Sequence, residues 1–190
     1  MINPNVLNDN DEQKKPQIIR FNKSDYSEDI GNVLEGNIDT ENDELEFDDL
    51  TTLTTESRIA IKNFHWTDIH LDWLNKLNQE DAELLAWIQC KYLWLNGVEN
   101  IDWPTAAALA KSKCDNLLLW GLTSLNKDVS KALSNFEGDI LFLDWVESLD
   151  ENAVEEILKS KCRCIYLVWL KNISHEMEAK LMSFKWTMRL

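Results

Sequence analysis

The sequence is poor in the residues that punctuate chains, with 5 Gly and 3 Pro among 190 residues. So few turn-formers argue against an all-β fold built from many tight hairpins. It contains no uninterrupted apolar run of 18 residues, so no membrane-spanning helix is expected. The opening residues, MINPNVLNDNDEQKK, lack a basic start followed by an apolar block, so a Sec-type leader is not expected either. There is no Cys-x-x-Cys pair to suggest zinc and no Gly-rich loop to cradle a phosphate. The four cysteines (Cys90, Cys114, Cys162 and Cys164) are therefore expected as reduced thiols, the first three filling core space in one column of the pattern described below. Cys90 and Cys114 would stand roughly 5 Å apart on neighbouring repeats, near enough to oxidise although the fold does not require it. The three histidines, His65, His70 and His175, fall at unrelated points of the pattern described below, so no Ser/His/Asp or Cys/His set assembles. The chain is not expected to be an enzyme, and no cofactor or metal is expected.

Acid is in excess. The formal charge is −15, and residues 1–50 carry 14 Asp/Glu against 4 Lys/Arg. This balance disfavours phosphate-rich partners such as nucleic acid or anionic membrane. It suits either a basic protein partner or simple solubility. Residues 1–44 read as an acidic, largely disordered tail with a possible capping segment at 17–38.

From residue 45 onward one period governs the chain. Phe47, Leu71, Leu95, Leu119, Leu143 and Leu167 stand 24 residues apart. Two residues before each anchor comes Leu45, Ile69, Leu93, Leu117, Leu141 or Ile165, and three after comes Leu50, Leu74, Val98, Leu122, Val146 or Leu170. Further apolar columns run through Leu53, Leu77, Ile101, Leu125, Leu149, Ile173 and through Ile61, Leu85, Leu109, Leu133, Ile157, Leu181. Alternation around each anchor predicts a short half-buried strand. Seven residues after it stands Thr54, Asn78, Asp102, Asn126, Asp150 or Ser174, each a good helix N-cap. Acids in the following turn and lysines some ten residues on complement a helix dipole, which predicts a helix of roughly ten residues per unit.

These columns resemble the leucine-rich-repeat family over residues 45–190. One unit reads Cys114-Asp-Asn-Leu117-Leu-Leu119-Trp-Gly-Leu122-Thr-Ser-Leu125-Asn126. The commonest family pattern places Asn where this chain has Leu50, Leu74, Val98, Leu122, Val146 and Leu170, and the spacing looks closer to the cysteine-containing and bacterial helix-backed subtypes. The resemblance implies an α/β solenoid of about six repeats, with short parallel strands on the concave side and helices on the convex side. Such arrays need closed ends, and Trp186 reads as part of a C-terminal cap. The N-terminal end would be closed by residues 45–66, alone or with Ile18, Ile19 and Phe21.

Strand side chains alternate, so the residues just before and just after each anchor should face outward from the sheet. Those columns supply the candidate partner-binding residues Tyr92, Trp94, Leu118, Trp120, Phe142 and Tyr166, flanked by His70, Asp72 and Asp144. The N-terminal third of this surface is acidic and the rest apolar. A large apolar patch on a free sheet face usually marks an interaction site. Its occupant would be another protein, the chain's own segment around Ile30–Ile38, or a second copy. Asp68, His70 and Asp72 would share one strand face, where a solvated acidic cluster is preferred to a metal site. Trp73, Trp145 and Trp169 would lie where strand becomes loop, with edge packing favoured over binding. The expected function is a protein–protein interaction module, cytoplasmic or delivered to a host cell by a non-Sec route. The alternative is an acidic inhibitor, such as a toxin-neutralising immunity protein or nucleic-acid mimic, acting through the tail.

Overall fold

Each anchor column forms strand because its neighbours alternate between core and surface, and the strands stack because every repeat leaves that core open on two sides. A computed structural model of the chain describes residues 18–21, 44–47, 50–63, 67–171 and 173–183. The strands are β1 (Ile18–Phe21), β2 (Glu44–Phe47), β3 (Asp68–His70), β4 (Tyr92–Trp94), β5 (Asn116–Leu118), β6 (Ser124–Leu125), β7 (Ile140–Phe142), β8 (Ser148–Leu149) and β9 (Cys164–Tyr166). Seven form one all-parallel sheet in the order β1-β2-β3-β4-β5-β7-β9. From β2 to β9 the register is the sequence period itself: Leu45 pairs with Ile69, Ile69 with Leu93, Leu93 with Leu117, Leu117 with Leu141, and Leu141 with Ile165. The strand ladder continues onto the anchors, where Leu71, Leu95, Leu119 and Leu143 N–H groups donate to the next repeat's carbonyls. The anchor carbonyl then accepts from the N–H three residues on, as in Val98 to Leu95, so backbone alone closes the turn. β6 and β8 make a second, two-stranded parallel pair.

The sheet extends past the expected first repeat. Ile18 pairs with Glu44, a step of 26 instead of 24 residues, and β1 covers the outer edge of β2. Trp186, expected in a C-terminal cap, and the rest of the acidic tail lie outside the described residues, whereas Ile18, Ile19 and Phe21, expected to help close the N-terminal end, lie in β1.

Helices α1 (Thr55–Asn63), α2 (Gln79–Ala86), α3 (Trp103–Leu109), α4 (Lys127–Leu133), α5 (Glu151–Ile157) and α6 (His175–Met182) follow the strands in turn. They run 7 to 9 residues, shorter than the ten expected. A C-cap closes each of α2 to α6 by backbone bonds soon after the deepest core residue is placed. All six expected N-cap residues cap: the side chains of Thr54, Asn78, Asp102, Asn126, Asp150 and Ser174 each accept from the N–H three residues on. The five apolar columns form one continuous core, and most members are fully buried; Ile101, Leu170 and Ile173 remain half-buried. Between α1 and α2, the Arg58 guanidinium reaches the buried carboxylate of Asp81, which also accepts from the Asn78 amide at 2.8 Å.

The expectation of four reduced thiols is corrected. Cys90 and Cys114 are joined by a disulfide, with Cα atoms 4.5 Å apart. They share one column in consecutive repeats, which sets them one sheet spacing apart and within disulfide range. Cys162 stays free and buried, and the same column of the preceding repeat holds Gly138. Burial pushes the Cys162 thiol above its ordinary pKa, so it behaves as a core residue.

Candidate interaction face

The parallel register places one ring on each of five successive repeats, all on the sheet face away from the core. His70 stacks on Trp94 at 5.0 Å between centroids, Trp94 meets Trp120 edge-on at 5.8 Å, Trp120 meets Phe142 edge-on at 6.5 Å, and Phe142 stacks on Tyr166 at 4.9 Å. Tyr92 joins Trp94 from the side at 6.1 Å. The row is continuous. Offset stacking and edge-to-face contact are the arrangements the ring quadrupole favours.

Trp120 reaches this row from the other outward column. In β5 the position that elsewhere carries His70, Trp94, Phe142 or Tyr166 is Leu118, paired with Trp94 on one side and Phe142 on the other. The expectation that Leu118 lies open to a partner is corrected: it is only 2 % exposed. Its side chain is too small to continue the row, and the Trp120 ring, meeting both Trp94 and Phe142, closes the gap above it. Leu118 is floor, and the rings are surface.

The row ends in acid. His70 Nδ1 lies 3.5 Å from Asp72 and its Nε2 lies 3.9 Å from Glu44. Burial works against a charged His70, but Asp72, Glu44 and Asp68 outweigh it and raise the pKa above the ordinary value. Asp68 is raised too, first by burial and then by Glu44, with His70 and Lys91 pulling the other way. Asp72 has a second task, because its Oδ1 accepts from the Asn96 N–H at 3.3 Å while Asn96 Oδ1 accepts from the Trp120 N–H at 3.4 Å. This side-chain ladder holds adjacent repeats together just beyond the strands and fixes the backbone that carries Trp120. Farther along, burial raises the Asp144 carboxyl, and the Trp120 indole beside it acts against that rise.

The tryptophans beyond the strands are not packed at an edge. Trp73, Trp145 and Trp169 are 57 %, 57 % and 56 % exposed, so the preference for edge packing is corrected. The same column holds Gly97 and Gly121 in the two intervening repeats. A Cβ on either would lie within 2.4 Å of a carbonyl oxygen of the preceding repeat, so only glycine fits that close backbone approach. Exposed Val168 and Trp169 extend the apolar end of the face around its rim.

The remaining surface offers less. A groove of about 810 Å³ opens at the helix ends, lined by Trp103, Lys111, Lys131 and Lys161 together with Asp115 and Glu137. Its charges are mixed, Lys161 already bonds Glu137 at 2.9 Å, and it contains no nucleophile paired with a base. Among the described residues no helix is long and apolar enough to cross a membrane, and no group of three His, Cys, Asp or Glu is arranged to hold a metal. The chain is an α/β protein of alternating short parallel strands and helices, with an aromatic cluster displayed on the sheet face. Comparison with family models, with curated proteins and with solved structures finds no match.

Proposed function

We propose that this chain is a leucine-rich-repeat interaction module, a binder rather than a catalyst, and that it holds another protein against the aromatic row of its sheet. One observation carries this reading: partly exposed rings in mutual contact on five consecutive repeats of one sheet face. Sheet faces that meet only water carry polar side chains, and a contiguous aromatic patch loses hydrophobic free energy unless something covers it. Trp and Tyr are also the residue types that dominate binding energy when desolvated.

The test is affinity capture with three full-length baits, followed by measured affinity for the captured protein. The baits are the unaltered chain, a variant with Trp94→Ala, Trp120→Asp and Phe142→Asp, and a variant with Asp25, Glu28, Asp29 and Glu35 changed to their amides. Circular dichroism checks that each is folded. Capture that survives amidation and disappears with the ring substitutions supports the face as the site. The reverse pattern refutes it and favours an inhibitor acting through the acidic tail.

A further inference from the structure

The face has a direction, and that direction specifies its occupant. We propose that the partner lays aromatic or aliphatic side chains along Trp120, Phe142 and Tyr166 and sets one guanidinium or ammonium group among Glu44, Asp68 and Asp72. This rests on the face being the docking surface and adds what docks there. Charge complementarity is the argument. Glu44, Asp68 and Asp72 crowd the β2–β3 end, and Asp68 Oδ1 is buried with no hydrogen-bond partner among the described residues. The cations nearby are engaged: Arg20 bonds Glu46 at 2.7 Å, and Lys91, whose charge reaches Asp68, lies 5.6 Å from the Tyr92 ring centroid.

The first rings beside the acids are His70, Tyr92 and Trp94. An incoming cation would therefore meet carboxylates and electron-rich ring faces together. A planar guanidinium can bridge two carboxylates while its flat side rests on a ring. A second copy of the chain is a poor occupant, since each copy carries a formal charge of −15. From β3 to β9 is four sheet steps, ~19 Å, which an extended segment covers in about six residues. The cation should accordingly sit within about six residues of the farthest apolar anchor.

Protonation opposes this docking. Asp68 and His70 both hold their protons above their ordinary pKa values, so acidification removes negative charge from the end formed by Glu44, Asp68, Asp72 and His70. Lys91, Tyr92 and the Arg20–Glu46 pair also face this end of the row.

The experiment pans random displayed 12-residue peptides on the full-length chain. The best binder is then synthesised with its Lys or Arg intact or changed to Ala. Both peptides are titrated against the unaltered chain, against Glu44→Gln/Asp68→Asn/Asp72→Asn, and against Trp120→Asp. The expected binders combine an apolar pair with one cation. Loss of the cation should weaken binding to the unaltered chain about tenfold, the scale of one charge-assisted contact. That loss should vanish on the amide variant and shrink from pH 8 to pH 6. A cation effect equal on both chains, or a panning that yields only uncharged or acidic peptides or none, overturns the inference. Binding that remains sensitive to Trp120→Asp in such a case leaves the aromatic face standing. Binding indifferent to Trp120→Asp sinks both, and a concentration-dependent dimer abolished by Trp120→Asp identifies a second copy as the occupant instead.

Discussion

Reduction of the Cys90–Cys114 bond should weaken the fold by a calculable amount. The bond closes a loop of 24 residues, one whole repeat. The chain-entropy relation for a loop of that size gives ~3.5 kcal/mol lost from stability when the link is opened. The native state offers little to offset this, because the strand register and the Asp115 N–H bond to the Cys90 carbonyl at 3.0 Å hold the two repeats side by side independently of the disulfide. Both side chains are buried, so the thiols left by reduction stay in apolar surroundings without a new polar burden. With a urea m-value of about 2 kcal/mol/M for a chain of this size, the midpoint should fall by roughly 1.5–2 M. The assay is urea unfolding followed by tryptophan fluorescence, with and without a phosphine reductant, on protein purified without reductant. Thiol titration in denaturant should count Cys162 and Cys164, the two cysteines outside this bond, before reduction and all four cysteines after it. Four titratable thiols at the start, or an unchanged midpoint after reduction, would refute the reasoning.

Two further outcomes follow from the same geometry. Gly121→Ala should cost about 1–3 kcal/mol, because the added carbon meets the Asn96 and Val98 carbonyl oxygens at 2.4 and 2.6 Å and backbone cannot rotate away. Trp145→Ala, in the same column but more than half exposed, should change thermal stability far less, and equal losses would remove the distinction. His70 should titrate above ~6.5, its unfolded value, in an NMR pH series, and Asp72→Asn should bring the midpoint down. A raised folded pKa means that the protonated imidazole contributes stability fully below the unfolded value. That contribution disappears as pH rises through the folded value. A midpoint at or below the unfolded value would show that burial outweighs the three carboxylates.

Much of the fold was legible because a solenoid repeats its instructions. Leu93, Leu117 and Leu141 are buried in register for the same local reason, and the period exposes that reason six times. The N-caps were equally legible, since a capping side chain acts on an N–H three residues away. Features that depend on how neighbouring repeats meet were not. The two outward columns look equivalent in sequence, and only packing decides that Trp120 covers the gap above Leu118. The Asp72–Asn96–Trp120 ladder joins side chain to backbone across repeats, and its one signal was the recurrence of Asp and Asn just after the anchor. β1 was legible only as apolar residues able to close the N-terminal end, because its 26-residue step to β2 breaks the period that marks the other strands. α3 and α5 were read too long because Lys111 and Lys159, taken to mark their ends, stand just beyond the C-caps Ala110 and Leu158.

The two halves of the displayed face rest on unequal foundations. Its acidic and indole-rich half stands on repeats whose core columns are buried except at Ile101 and where a covalent bond ties one layer to the next. The half that ends in Tyr166 and Val168 stands on the layer where Leu170, Ile173 and Met177 are only partly covered. A segment lying across all five rings would act as a splint, fastening the looser layer to the firmer ones. Capture and consolidation would then be one event, read as slowed amide exchange in β9 whenever the face is filled.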